Sequence, residues 1–162
     1  AGFVEREGLD LKPPRVVMTT ADMLLPHMRE TLTRVYRAPV FDRYGSREVG
    51  LMAIECDHHN GLHVLGETNI LEMVDADGRE VGVGENGETL VTNLWNYTMP
   101  MIRYRMEDNI VRGPDLCTCG RPYPLVERVL GRAGSNFRKP DGGLVLPDFW
   151  VRLLTVDLRT RL

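Results

Sequence analysis

Within five residues, Tyr44-Gly45-Ser46-Arg47-Glu48 sets an aromatic ring, a hydroxyl, a cation and a carboxylate side by side. That inventory suits a nucleotide. A ring can stack on a base, a hydroxyl and backbone N–H groups can bind phosphate, and a carboxylate can hold Mg2+. Gly45 reads as the pivot of a sharp turn, because glycine tolerates backbone angles that other residues resist. Two further groups could meet the same ligand. The run Pro100-Met101-Ile102-Arg103-Tyr104-Arg105-Met106-Glu107-Asp108 alternates apolar and basic residues and closes on two acids. Asp108, where that strand breaks, could accept both hydrogen bonds of a hydroxyl pair. Glu127-Arg128-Val129-Leu130-Gly131-Arg132 ends in a cation just before Ala133-Gly134-Ser135, a composition typical of a linker or hinge. Each segment also has a plainer reading: an ordinary turn, a surface strand with cross-strand ion pairs, a solvated arginine.

A second chemistry is carried by sulfur. Cys56 is followed by His58 and His59, and Cys117 and Cys119 are separated by one residue. Three thiolates with one imidazole, from either His58 or His59, make a closed tetrahedral zinc set with no open position for catalysis. Gly120 beside the last cysteine would let backbone N–H groups approach the sulfurs. The alternative is three free cysteines and two surface histidines. His63, in a strand-like run after Leu62, reads as a strand histidine and not as a ligand.

Composition bounds what the chain can meet. A net charge of −3 with no basic run gives no electrostatic footprint for nucleic acid or an anionic membrane. No apolar stretch approaches the roughly 20 residues needed to span a bilayer. The first residues carry charges where a signal peptide has its apolar core, and the chain reads as if begun in mid-protein. Three cysteines are an odd number, which argues against a disulfide framework and for a reducing cytoplasm.

The elements that would position these residues follow from the pattern. Arg15–Thr20 reads as a buried strand after the extended Pro13-Pro14. A helix capped by Thr20 or Asp22 runs to about Tyr36, with Pro26 in its first turn. Pro39-Val40-Phe41 reads as a second strand, giving a β-α-β unit with the Tyr44 turn beyond its second strand, where ligands of open α/β sheets tend to bind. From residue 51, short strands alternate with turns at Leu51–Cys56, Leu62–Leu65, Ile70–Val74, Glu88–Leu94, Met101–Tyr104, Ile110–Arg112 and Leu125–Leu130. That block predicts a small antiparallel barrel or sandwich. Asp141-Gly142-Gly143 reads as a hairpin-like turn, and Pro147 to Leu158 as a helix.

In this order, these segments resemble one family. Tyr-Gly-x-x-Glu at 44–48, Gly-Glu-x-Leu-Val-x-x-x-Leu from Gly87, Pro-x-Ile-Arg-Tyr-Arg-x-x-Asp at 100–108, Cys-x-Cys-Gly-Arg at 117–121 and Glu-Arg-x-x-Gly-Arg at 127–132 look like the phenylacetate–CoA ligase branch of the adenylate-forming superfamily, and most like its CapK-type capsular polysaccharide biosynthesis proteins. The resemblance covers roughly residues 15–150. It implies a mixed α/β fold: a β-α-β piece of the large domain over 1–50, a small β-barrel subdomain with the zinc site over 51–132, and a hinge with the start of a mobile C-terminal domain over 133–162.

It also implies a two-step reaction. A carboxylate, expected to be aromatic, attacks the α-phosphate of ATP; a thiol, usually coenzyme A, then displaces AMP. Carried over, Tyr44 would pack on adenine, Gly45 and Ser46 would line the nucleotide and acyl site, and Glu48 would coordinate Mg2+. Asp108 would hold the ribose hydroxyls and Arg132 would contact ribose or phosphate. Cys56, a following histidine, Cys117 and Cys119 would match a zinc site of some members, and a homodimer is expected by the same resemblance. There are departures. Met106-Glu107 stand where the family usually has Thr-Gly, and Ala133-Gly134 stand where it usually has an aspartate pair. No Ser/Thr/Gly-rich phosphate loop precedes Arg15 and no catalytic lysine is identifiable, so the chain reads as a portion of a longer enzyme, inactive alone. A zinc-stabilised binding module without catalysis is the alternative.

Overall fold

The computed structural model describes residues 1–132 and, as backbone, residues 137–138 and 144–145. In chain order the elements are α1 (Gly2–Arg6), β1 (Val17–Thr19), α2 (Pro26–Tyr36), β2 (Val40–Ser46), β3 (Gly50–Glu55), β4 (Leu62–Val64), β5 (Asn69–Val74), β6 (Asn86–Asn93), β7 (Tyr104–Arg112), β8 (Leu125–Arg132), β9 (Phe137–Arg138) and β10 (Leu144–Val145). The first eight strands form one sheet, ordered β1-β2-β3-β4-β8-β7-β6-β5. β1 and β2 are parallel, with α2 as their crossover, and every other pair in this sheet is antiparallel. The mixed α/β class and the β-α-β unit are therefore as read from the sequence. The antiparallel strands are also as expected, but β1 and β5 stand at opposite edges and the sheet is not closed into a barrel. β2 bonds directly to β3, so the ladder continues across residue 50.

One apolar cluster lies under this sheet. Met52, Ala53, Val91, Ile110 and Val126 have no exposed surface and pack with Tyr44, Leu62, Met73 and Met106. Cutting Ile110 to alanine at such a site costs about 2–5 kcal/mol. The helix α2 buries none of its residues fully. Met28, Leu32, Val35 and Tyr36 are half-buried at helical spacing, and their partner is β2.

Several local expectations need correcting. α2 begins at Pro26 after Leu25, with no side-chain cap, so neither Thr20 nor Asp22 caps it. A proline at the first position needs no partner for a missing N–H. β2 continues through Tyr44, Gly45 and Ser46, so these are strand residues with a bulge between Tyr44 and Gly45. The sharp reversal comes afterwards, at residues 47–49, and the glycine with a left-handed backbone is Gly50, at φ +76°. Gly45 is there for proximity: a Cβ on it would stand 2.5 Å from the Gly50 carbonyl oxygen. Met101, Ile102 and Arg103 precede β7, which runs from Tyr104 to Arg112 and so takes in the strand expected at Ile110–Arg112 but only the last residue of the one expected at Met101–Tyr104. The hinge over residues 133–135, the turn at 141–143 and the helix at 147–158 lie outside the described residues. β9 and β10 pair antiparallel.

Candidate functional site

β2, the 47–49 turn, β7 and the end of β8 converge on one cleft of about 720 Å3. The loop at residues 21–25 and the first turns of α2 form its opposite wall. Tyr44, Gly45, Ser46, Glu48, Asp108 and Arg132 all line it, so residues up to 88 positions apart in sequence meet in one place.

Their contacts form a chain. The Tyr44 hydroxyl donates to Asp108 Oδ2 at 2.8 Å. Arg132 Nε lies 3.3 Å from Asp108 Oδ1, and Arg132 Nη1 donates to the Met106 carbonyl at 3.1 Å. The strand register explains this, because Asp108 on β7 pairs directly with Arg132 on β8. The Asp108 side chain is 13% exposed and that of Arg132 is 59% exposed, so the carboxylate is largely enclosed and the cation faces the open side of the cleft. Burial, then the charge of Asp108, raises the Tyr44 phenol well above its ordinary range, so it stays a donor. With 7% of its surface left, the Tyr44 ring has little face to offer a base. Glu48 is exposed on the turn. A hydrogen bond from Ser46 keeps its carboxyl below the usual range, with Arg132 and Arg47 contributing.

Asp108 reaches the cleft through an irregularity in β7. Glu88 of β6 pairs with Asn109 and Leu90 with Arg105, so Met106, Glu107 and Asp108 all stand opposite Thr89. Met106 fills the core and Glu107 takes φ +58°, a left-handed conformation that glycine would adopt without strain. Where the resemblance expects glycine, this chain therefore places a side chain in an unfavourable region of the backbone map.

Sequence reasoning missed a polar group deeper in the same cleft. Asp42 is two residues before Tyr44 on β2 and so shares its face. Asp42 Oδ1 accepts from the Thr19 hydroxyl at 2.8 Å and the Arg43 N–H at 3.0 Å; among the described residues Oδ2 has no partner. Burial raises the Asp42 carboxyl above its usual range despite those bonds. Behind it lies Glu55, whose side chain is 6% exposed. Glu55 Oε2 accepts the Asp42 N–H at 2.9 Å, and Oε1 takes Arg29 Nη2 at 2.7 Å. The strand alternation of β2 was the signal that could have found Asp42.

The sulfur cluster is assembled, with one change of ligand. Cys56, His63, Cys117 and Cys119 bring their donor atoms within 4.8 Å of one another. Cys56 and Cys117 Sγ are 3.8 Å apart, and Cys119 Sγ is 3.5 Å from His63 Nε2. A tetrahedral ion would hold two thiolates about 3.8 Å apart, and a thiolate and an imidazole nitrogen about 3.6 Å apart. The donor set and its spacing therefore fit zinc. Neither His58 nor His59 is the histidine of the group. The His58 ring turns to Thr118 Oγ1 at 2.9 Å, and His59 turns to Glu55 and Arg29. His63, read as an ordinary strand histidine, is 3% exposed on β4, and burial lowers its pKa toward the neutral form that metals bind. Backbone N–H groups do approach sulfur: His58 to Cys56 at 3.4 Å and Cys119 to Cys117 at 3.5 Å.

With this geometry in hand, known proteins can be compared. No protein-family model matches the chain. A phenylacetate-coenzyme A ligase of Thermus thermophilus is 32% identical over 80 residues, covering 48% of this chain and 18% of that protein. Protein CapK of Staphylococcus aureus is 23% identical over 133 residues, 82% of this chain and 28% of its own length. The chain is thus similar in sequence to a phenylacetate-coenzyme A ligase and to a CapK protein. The fold agrees: 2-hydroxyisobutyryl-CoA ligase in the postadenylation state with R3-HIB-AMP superposes with a TM-score of 0.73 at 22% identity, over 82% of this chain and 29% of that one. Anthranilate CoA ligase AuaEII with anthranoyl-AMP gives 0.58 at 15% identity, over 82% and 27%. The chain thus spans under a third of the length of these proteins. Among the described residues, no helix is long and apolar enough to cross a membrane.

Proposed function

We propose that the cleft between β2, β7 and β8 is the nucleotide side of an AMP-forming acid–thiol ligase. The observation that carries this is the Tyr44–Asp108–Arg132 chain, a largely buried carboxylate between a hydroxyl donor and an exposed cation. Asp108 holds the ribose hydroxyl pair, with Tyr44 fixing its orientation. Arg132 swings onto ribose or phosphate. The open oxygen of Asp42 accepts from the exocyclic amine of adenine, a donor that a carboxylate matches. Ser46 and Gly45 line the phosphate end. Glu48, kept ionised on its turn, is the residue to hold Mg2+, which would neutralise phosphate charge.

In this reading a carboxylic acid, aromatic in class, displaces pyrophosphate from ATP. A thiol, coenzyme A by similarity, then takes the acyl group from AMP. The residues present act by positioning and by charge, since phosphoryl chemistry asks for little else. Cys56, His63, Cys117 and Cys119 hold a structural zinc ion with all four positions filled, and the free thiols suit a reducing cytoplasm. A homodimer completes the reading. The test is carboxylate-dependent ATP–pyrophosphate exchange by the product of the complete reading frame, across aromatic, aliphatic and amino acids. Exchange with one class supports the ligase. None with any acid, from folded and zinc-loaded protein, favours a zinc-stabilised binding module instead.

A further inference from the structure

We infer that Glu55 is a positioning residue that couples the sulfur-rich metal centre to adenine recognition in the cleft. The inference rests on the adenylate reading above and adds a link that reading does not need. Glu55 and Cys56 are adjacent at the end of β3, so one peptide joins a metal ligand to a carboxylate buried in the cleft wall. The turn after Cys56 folds back on both. His59 N–H donates to the Cys56 carbonyl at 3.1 Å, and the His59 ring lies 3.2 Å from Glu55 Oε2. His59 holds this position with φ +53°, a conformation the turn must enforce. Glu55 Oε2 in turn holds the Asp42 N–H at 2.9 Å, and Arg29 locks the other oxygen. A shift of Cys56 would therefore be passed to Glu55, and Glu55 holds the backbone of Asp42, whose side chain carries the open oxygen of the cleft.

Coupling of this kind is reciprocal: if metal tightens AMP, AMP must tighten metal by the same factor. Two readouts test it on the complete reading-frame product. The first is the ratio of AMP to IMP affinity, by calorimetry, for zinc-loaded wild type and Glu55→Gln. IMP lacks the amine that Asp42 would accept. Wild type is expected to prefer AMP about tenfold, and Glu55→Gln to fall within about twofold, for the loss of roughly one oriented hydrogen bond. The second is zinc affinity by competition with a chelator, with and without saturating AMP. AMP is expected to tighten zinc about fivefold in wild type and less than about twofold in Glu55→Gln. A merely structural Glu55 would lower the melting temperature and leave both ratios unchanged, which overturns the inference alone. Wild type that binds neither nucleotide removes the adenylate reading and this inference together; wild type that binds both equally overturns the inference alone. Should Glu55→Gln fail to fold, Arg29→Lys, which keeps the charge and loosens the grip on Glu55, must show the same loss of both ratios; unchanged ratios there overturn the inference.

Discussion

Tyr44 and Asp108 are 64 residues apart in sequence and 2.8 Å apart in the cleft, hydroxyl to carboxylate. The bond fixes which way Asp108 Oδ1 faces. Tyr44→Phe keeps the buried ring and removes the donor. We expect a stability loss of about 1 kcal/mol, since the phenol sits at the edge of the core. We also expect weaker discrimination between AMP and its 2′,3′-dideoxy analogue, by a few-fold. Thermal melting and calorimetry on the same variant separate the two effects. Full discrimination with lowered stability would leave Tyr44 a packing residue.

Glu107 carries a left-handed backbone at φ +58° in the bulge that delivers Asp108. A side chain there costs about 1–2 kcal/mol relative to glycine, offset in part by the freedom glycine loses on folding. Glu107→Gly is expected to be neutral or up to about 1 kcal/mol stabilising. Glu107→Val, β-branched, is expected to destabilise by more than about 1 kcal/mol. Denaturant melts of the pair decide it, and equal stability of the two would mean that the bulge is not held in this shape.

The metal ligands separate cleanly by substitution. His63→Ala should abolish stoichiometric zinc binding, whereas His58→Ala and His59→Ala should retain one ion per chain. Free energies of roughly 10–16 kcal/mol are typical of such centres at neutral pH, comparable to or larger than the stability of a whole domain. Chelation should therefore unfold the β3–β4 turn and the 117–120 segment, read as loss of protection in hydrogen exchange. Retained zinc in His63→Ala would return the ligand to His58 or His59.

Asp42 gives a pH prediction. Its native pKa is raised by burial above the 3.8 of an ordinary aspartate. A raised carboxyl means that the folded state binds its proton more readily than the unfolded chain. This group therefore opposes folding while ionised, and stability recovers as pH falls from the raised native value toward 3.8. Asp42→Asn removes that dependence and should be as stable as wild type, or more so, at neutral pH. With its oxygen still held by Thr19 and the Arg43 N–H, the amide presents a donor to the cleft. Nucleotide preference should shift from AMP toward IMP. Unchanged preference would take Asp42 out of the base site.

Much of the site was legible because its residues are consecutive or are marked by family-like spacing. Tyr44, Glu48, Asp108 and Arg132 each stand in a short run of distinctive types, and the fold brings them to one cleft. Asp42 was not legible in the same way, because its role depends on the face of β2 and on Glu55 from the next strand. The histidine of the sulfur cluster was misread for a related reason. His58 and His59 are near Cys56 in sequence, but β4 returns His63 to the sulfurs, and a fully apolar-flanked Leu62-His63-Val64 with every residue buried was the available signal. Gly45 was read as the turn glycine, a role that falls to Gly50, because close approach and left-handed backbone look alike in a sequence. The open sheet was hidden because strand spacing predicts antiparallel neighbours but not whether the last strand meets the first.

The most direct measurement is a calorimetric titration of AMP into the complete reading-frame product, wild type against Asp108→Ala, both zinc-loaded and shown to be folded. Wild type is predicted to bind one AMP per chain, and Asp108→Ala to bind at least about tenfold more weakly, because two charge-assisted hydrogen bonds to ribose are lost. Equal affinity in the two proteins, or no binding by wild type, would contradict an adenylate held between Tyr44, Asp108 and Arg132.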